Sequence, residues 1–127
     1  MVIIAGAERA DGIDVIAVDL KGFPDWNAWS TVPGEIIGTW EGERVSTVIG
    51  LVAALPKGMM ARCFVPRYGI RLRHGSQVLA EAAFCFECSN VLQVPVTTGA
   101  QGSDLSGFDA ESRPARDLLE LLRSCTA

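Results

Sequence analysis

Histidine is almost absent from this chain, because His74 is the only one among 127 residues. Serine and cysteine hydrolases place a histidine base beside the nucleophile, whereas His74 falls in a predicted turn, well away from Cys63 and Cys85. The phosphate-binding, dinucleotide-binding, metalloprotease and nucleophile-elbow motifs are also absent. These absences argue against the common hydrolase and nucleotide-binding classes.

The chain also lacks a long apolar run and an excess of basic residues. Its longest apolar stretch, near Val48–Leu55, is too short to cross a bilayer, and we expect no secretion signal because the first residues show no basic region followed by a long apolar one. We therefore expect a cytoplasmic protein with reduced cysteines and no membrane partner. The net charge of −4 argues against nucleic acid. Residues 44–127 nevertheless carry nine basic and seven acidic side chains, so a small anionic partner stays open.

Hydrophobic periodicity predicts a strand-rich domain over residues 1–127. Apolar residues make up 49% of the sequence and charged residues 20%, which is typical of a globular fold. Strand-like patterns occur at Ile13–Leu20 and Gly34–Trp40. Two longer ones, at 59–74 and 77–94, are expected to form a hairpin through the turn at Gly75 and Ser76.

Helical spacing of apolar residues appears in two further segments. It predicts a central helix at about 42–55 and a C-terminal helix at about 110–125, which Asp109 or Ser112 can cap. The glycine-rich stretch 97–109 predicts a loop. Together with the strands, these elements predict an α+β fold, in which an antiparallel sheet has helices on one face.

Side-chain alternation assigns a face to each residue of the predicted hairpin. Even positions are apolar in both strands and are expected to face the helices. The odd positions form a wetter face with the charged residues Arg67, Arg71, Arg73, Glu81 and Glu87. This register requires a three-residue loop or a β-bulge, which we place near Pro66 or Gly69.

Two groups of residues are candidates for binding a partner. Arg67, Arg71 and Arg73 share one face, and guanidinium groups suit carboxylate or phosphate, although pairing with the glutamates across the hairpin would also explain them. Trp26 and Trp29 lie in an irregular segment, where large aromatics either cover the edge of a core or anchor a partner.

The cysteines allow a second kind of chemistry. Cys63, Cys85 and Cys88 would supply thiolates to zinc or to a redox reaction. On a regular strand, however, Cys85 and Cys88 point to opposite faces, Cys85 outward and Cys88 inward, so only Cys63 and Cys85 could form a disulfide within the hairpin. A second Cys-x-x-Cys pair is missing. We therefore expect small core residues, no metal site and no cofactor.

The string Cys63–Ile70, followed by Cys85–Cys88, resembles a group of short bacterial proteins of no known activity. In that group a Cys-x-x-Pro-Arg-x-Gly-Ile element precedes a Cys-Phe-Glu-Cys element. The resemblance implies a strand-rich body with a C-terminal helix, and it implies no catalytic residue. Tyr68 stands where the resemblance favours a histidine.

These observations favour a small non-enzymatic binding or accessory protein that recognises a protein or an anionic small molecule. One alternative is a cysteine-based zinc or redox protein, and another is a small enzyme that acts on an anionic metabolite. A homodimer is possible if Ile13–Leu20 is an exposed edge strand.

Overall fold

The computed structural model describes residue 2 and residues 4–22, 24–94 and 104–125. This part of the chain has an α+β fold with one six-stranded antiparallel sheet in the order β2-β1-β3-β4-β5-β6. The strands are β1 (Gly12–Val18), β2 (Gly34–Glu41), β3 (Tyr68–His74), β4 (Gln77–Cys85), β5 (Asn90–Val94) and β6 (Asp104–Gly107). The helices are α1 (Glu43–Ala54) and α2 (Arg113–Arg123). The predicted fold class and both predicted helices are confirmed.

Each helix buries the apolar stripe that its sequence contains. Helix α1 buries Val45, Val48 and Val52, and α2 buries Ala115, Leu118 and Leu122. Ser112 caps α2, because its hydroxyl accepts a hydrogen bond from the backbone N–H of Ala115 at 3.3 Å. These stripes join a core on one face of the sheet, where the strand residues include Ile13, Val15, Ile70, Leu72, Ala82 and Phe84.

The opposite face of the sheet, predicted to be the wetter one, carries the ion pairs of Arg71 and Arg73 but is also partly covered by apolar side chains. A second apolar cluster there contains Ile16, Trp29, Val32, Ala83, Leu92 and Val94. Segment 24–33, which connects β1 to β2 along the chain, supplies Trp29 and Val32 to this cluster, and Trp26 packs against it. Polar and apolar side chains therefore share the second face.

The predicted strand at 77–94 is wrong, because the chain reverses in the middle of it. Strand β4 ends at Cys85, residues 86–89 form a turn, and β5 returns antiparallel so that Asn90 pairs with Cys85. Ser89 takes the left-handed conformation that closes the turn, with φ of 56°. The first strand is also shorter than predicted, since β3 begins at Tyr68 and residues 59–67 are irregular.

The predicted register of β3 and β4 is confirmed, but the predicted position of its bulge is wrong. Tyr68 pairs with Phe84 and Ile70 pairs with Ala82, even with even. The register shifts between Leu72 and Arg73, next to the Gly75–Ser76 turn, rather than near Pro66 or Gly69. A two-residue turn pairs His74 with Gln77, even with odd. The bulge adds one residue to β4, so that even positions pair with even positions in the rest of the hairpin.

Strand β1 is not an exposed edge, which was the condition for a homodimer through Ile13–Leu20, since it pairs with β2 on one side and β3 on the other. The edges of the described sheet are β2 and β6. Strand β6 lies within the stretch predicted as a loop, and residues 97–103 of that stretch fall outside the described residues. In the described part of the chain, no helix has the length and apolar character needed to cross a membrane.

Candidate functional site

The three arginines proposed as one binding face occupy different surroundings. Arg71 and Arg73 lie on β3, with side chains 23% exposed, whereas Arg67 precedes the strand and its side chain is 77% exposed. Each has a carboxylate partner: Glu87 for Arg67, Glu81 for Arg71 and Asp14 for Arg73. Of the three guanidinium groups, only that of Arg67 is therefore largely exposed to solvent.

Arg73 and Asp14 form a two-pronged ion pair. The Nε and Nη2 atoms of Arg73 donate to the two carboxylate oxygens of Asp14 at 2.9 and 3.0 Å. The hydrogen bond to Asp14 raises the pKa of Arg73, and burial opposes the rise. Gly12 gives the guanidinium room, since a Cβ atom there would lie 2.9 Å from Nη2. With this geometry, the Arg73 side chain links β3 to β1.

Glu81 binds the segment that covers the second face. Its buried carboxylate accepts hydrogen bonds from the backbone N–H of Val32 and from the Thr31 hydroxyl, each at 2.8 Å. The Nε atom of Arg71 lies 3.7 Å from the same carboxylate. Arg71 and Glu81 thus face each other across the hairpin as predicted, and the pair has a structural partner in segment 24–33.

The two tryptophans of that segment pack against the chain rather than projecting from it. The ring of Trp26 meets Phe64 edge to face at 5.6 Å, and the ring of Trp29 lies 6.3 Å from the same ring. Trp29 is buried and Trp26 is half-buried. Their packing on Phe64 supports the interpretation that they cover a core.

Cys63 and Cys88 form a disulfide, with Cα atoms 5.7 Å apart. The sequence prediction allowed only a Cys63–Cys85 bond and expected reduced cysteines, and both expectations are wrong for this pair. The cause is the turn at 86–89, which brings Cys88 back over the end of β4. Cys85 is a free cysteine and is buried, so the face predicted to be wetter is not exposed to solvent at this position.

The Cys85 sulfur lies beside the disulfide. The backbone N–H of Cys88 donates a hydrogen bond to Cys85 Sγ at 3.3 Å. Three of the four cysteines therefore lie in one small region, although alternation along a regular strand predicted opposite faces for Cys85 and Cys88. No group of three His, Cys, Asp or Glu side chains among the described residues is placed to hold a metal ion.

The disulfide is one of several ties on the irregular segment 56–67, which we call the Cys63 segment. Asn90 Nδ2 donates to the Cys63 carbonyl oxygen at 2.7 Å, and the Ala61 N–H donates to the Cys88 carbonyl oxygen at 2.9 Å. Lys57 forms an isolated bridge with Phe108. These ties fix the position of the residues that follow Cys63 along the chain.

A cleft of about 310 Å³ opens where the end of the Cys63 segment, the β4–β5 turn and helix α2 meet. Its apolar lining consists of Val65, Tyr68, Phe84, Phe86, Ala110 and Leu119. Its charged lining consists of Arg67, Glu87, Glu111 and Arg123. Aromatic and aliphatic surface with a few charged groups is the usual composition of a small-molecule site.

Of the predicted site residues, only Arg67 lines this cleft, since Arg71, Arg73 and both tryptophans lie on the second face. Sequence reasoning missed Phe86, Leu119 and Arg123 as lining residues. A signal for Leu119 was present, because α2 carries this leucine beside its fully buried stripe of Ala115, Leu118 and Leu122. An apolar residue at the margin of a helix's buried face often borders a groove.

Comparison of the chain with family models, curated proteins and solved structures finds no match. A function is therefore inferred from the geometry of the chain's own residues.

Proposed function

We propose that this protein binds a small anionic ligand with an apolar body, and that the cleft beside Arg67 is the binding site. The observation that carries the proposal is the combination in one concavity of an aromatic lining and an exposed guanidinium. A cleft of about 310 Å³ lies at the lower end of the range for small-molecule pockets. An aromatic or short aliphatic carboxylate matches both its size and its chemistry.

Arg67 is suited to exchange its partner for a ligand. Its Nη2 atom lies 3.4 Å from the Glu87 carboxylate, and the two side chains are 77% and 73% exposed. An ion pair in that setting contributes about 0–1 kcal/mol, so a ligand carboxylate can replace Glu87 at little cost. Arg71 and Arg73, by contrast, are held by carboxylates that are mostly buried. Arg67 is therefore the member of the trio to which we assign the ligand.

The aromatic residues supply the apolar part of the site. Phe84, Phe86 and Phe108 form a connected set, with ring centroids 5.6–6.3 Å apart. Phe84 and Phe108 are fully buried, so Phe86 and Tyr68, which are half-buried, offer the accessible aromatic surface. A ring placed against them would lie near Arg67, which follows Pro66 and directly precedes Tyr68.

The test is an NMR titration of the ¹⁵N-labelled protein with indole-3-acetate, its neutral analogue indole-3-acetamide and its cationic analogue tryptamine. At about −0.3 kcal/mol per non-hydrogen atom, a ligand of this size binds with a Kd on the order of 1 mM. We expect amide shifts at Val65, Arg67, Tyr68 and Leu119 with the carboxylate, and clearly weaker binding of the amide and the amine.

Two variants test whether the charge of Arg67 contributes to binding of the carboxylate. Arg67→Gln should weaken the carboxylate about fivefold to tenfold and leave indole-3-acetamide unchanged, because only the carboxylate uses the charge. Arg62→Gln removes an exposed basic residue outside the cleft and serves as the matched control. Equal binding of the carboxylate and the amide, or shifts confined to residues away from the cleft, would overturn the proposal.

A further inference from the structure

A free cysteine, Cys85, lies beside the Cys63–Cys88 disulfide. Cys63 is exposed, whereas Cys88 and the free Cys85 are 2% and 1% exposed. Cys63 is therefore the cysteine of the pair on the solvent side, while Cys88 is shielded from solvent. The free sulfur with access to Cys88 is that of Cys85, which already accepts a hydrogen bond from the Cys88 amide.

We propose that Cys85, Cys88 and Cys63 form a thiol–disulfide exchange centre. The Cys85 thiolate attacks Sγ of Cys88, a Cys85–Cys88 bond forms, the Cys88–Cys63 bond breaks, and the electron pair of the broken bond leaves with Cys63 as a thiolate. The proton that Cys85 releases to solvent is balanced by the proton that Cys63 takes up. The exchange consumes no oxidant and no reductant.

The turn makes the second disulfide geometrically accessible. Cys85 is the last residue of β4 and Cys88 lies within the turn 86–89, so the two cysteines are three residues apart where the chain reverses. The 3.3 Å hydrogen bond places the Cys85 sulfur next to the Cys88 amide nitrogen, which is three covalent bonds from the sulfur that would be attacked. Forming Cys85–Cys88 then requires side-chain rotation within one turn.

A buried acceptor beside both cysteines supports a second arrangement of this region. Asn90 is fully buried, pairs with Cys85 across the turn and donates to the Cys63 carbonyl. Its Oδ1 atom has no hydrogen-bond partner among the described residues. An unsatisfied buried acceptor of this kind is unfavourable, which is a reason for the region around the disulfide to have a second arrangement.

The exchange releases the Cys63 segment from its covalent tie and exposes a thiol on it. Non-covalent contacts then hold the segment near the sheet: the hydrogen bonds of Ala61 and Asn90, the hydrogen bonds that Pro56 and Arg67 accept through their carbonyl oxygens, the Lys57 bridge and packing at Phe64. Val65 and Arg67, which line the cleft, follow Cys63 directly. A consequence for ligand binding rests on the proposed function of that cleft, whereas the exchange itself does not.

The test traps the released thiol. The full chain is oxidised with oxidised glutathione at pH 8 and then held under native conditions with N-ethylmaleimide. Digestion after glutamate cuts at Glu87, between Cys85 and Cys88, so mass mapping without reduction distinguishes the two disulfides. We expect wild type to accumulate alkylated Cys63 together with a Cys85–Cys88 disulfide.

Variants separate exchange from simple exposure. Cys85→Ser should keep Cys63–Cys88 intact and alkylate Cys63 at least about tenfold more slowly, and Cys125→Ser, which alters the other free cysteine, should behave as wild type. Cys85→Ala repeats the measurement should serine disturb the fold, which near-ultraviolet circular dichroism monitors. Equal alkylation of Cys63 with and without Cys85, a Cys63–Cys88 bond that persists alone in wild type, or no disulfide after oxidation would overturn the proposal.

Mass mapping uses no ligand, so failure of the exchange leaves carboxylate binding at Arg67 intact. Conversely, an absence of binding in the NMR titration does not change the disulfide map.

Discussion

The Glu81 carboxylate accepts a hydrogen bond of 2.8 Å from the backbone N–H of Val32, 49 residues earlier in the chain. This contact joins an irregular segment to the centre of the sheet, where Glu81 is 4% exposed. The Thr31 hydroxyl and the Arg71 guanidinium complete the surroundings of the carboxylate. A buried acid with these partners stabilises one position of the segment that carries Trp29, and it thereby closes the second apolar cluster.

Replacing Glu81 with alanine should therefore destabilise the protein strongly. The change leaves the Val32 amide without its acceptor and the half-buried Arg71 without its counter-charge, so the free energy of unfolding should fall by about 2–4 kcal/mol. Urea unfolding followed by tryptophan fluorescence measures it. Glu87→Ala removes an acid of the same type from an exposed ion pair and should change stability by less than about 0.5 kcal/mol. Equal losses in the two variants would contradict a structural role for Glu81.

The pair of Arg73 and Asp14 should stabilise the fold by the same amount across the neutral pH range. Arg73→Ala leaves a mostly buried carboxylate unpaired and should cost about 1–3 kcal/mol, and Arg73→Lys should cost less because it keeps the charge but not the fork. The hydrogen bond to Asp14 raises the pKa of Arg73. A base whose pKa rises on folding stabilises the fold at every pH below its unfolded-state pKa and loses that effect only above it. The penalty in Arg73→Ala should thus be equal at pH 6 and pH 9, and a penalty that vanishes at pH 9 would contradict this assignment.

Gly69 lies where β3 packs closely against Val32 of segment 24–33 and leaves no room for a side chain. A Cβ atom at this position would lie 2.8 Å from Val32 Cγ1 and 3.1 Å from the carbonyl oxygen of Ala82. Gly69→Ala should lower the free energy of unfolding by about 1–3 kcal/mol, because the backbone oxygen cannot move aside. Gly50→Ala is the matched control, since Gly50 lies inside α1 with no atom within 4 Å of the added carbon. That variant should be more stable by about 0.5–1 kcal/mol. Denaturant unfolding of both variants measures these changes. A lower midpoint in both would contradict a specific requirement for glycine at position 69.

The sequence was sufficient where apolar residues repeat with a clear period. Val45, Val48 and Val52 recur at helical spacing, and the even positions of β3 and β4 are apolar, so α1 and the hairpin register were both predictable. The partner of Arg73 was not, because periodicity within a strand does not determine which strand lies beside it. Asp14 became its partner because β1 inserts between β2 and β3 in the sheet order.

The candidate site was harder to predict, because it depends on a turn that the sequence barely marks. Residues 82–86 are apolar without interruption and contain neither glycine nor proline, so the run was interpreted as a continuing strand. The available signal was Ser89-Asn90, two residues that favour turns, and Ser89 does adopt the left-handed conformation there. Once the chain reverses at this point, Cys88 meets Cys63, and the β4–β5 turn brings Phe86 and Glu87 to the cleft.

The disulfide itself should contribute measurably to stability. It joins residues 25 apart in sequence, and closing a loop of that size stabilises a fold by about 2–4 kcal/mol through the unfolded chain. Cys63→Ser, at an exposed position, should lower the urea midpoint of the oxidised protein, and a reductant should lower that of wild type to a similar value. Cys125→Ser should leave the response to reductant unchanged, because burial raises the pKa of the Cys125 thiol and this cysteine forms no disulfide in the structure. If reductant leaves the wild-type midpoint where it was, the Cys63–Cys88 bond does not stabilise the fold, and the non-covalent contacts of the Cys63 segment are sufficient to hold it in place.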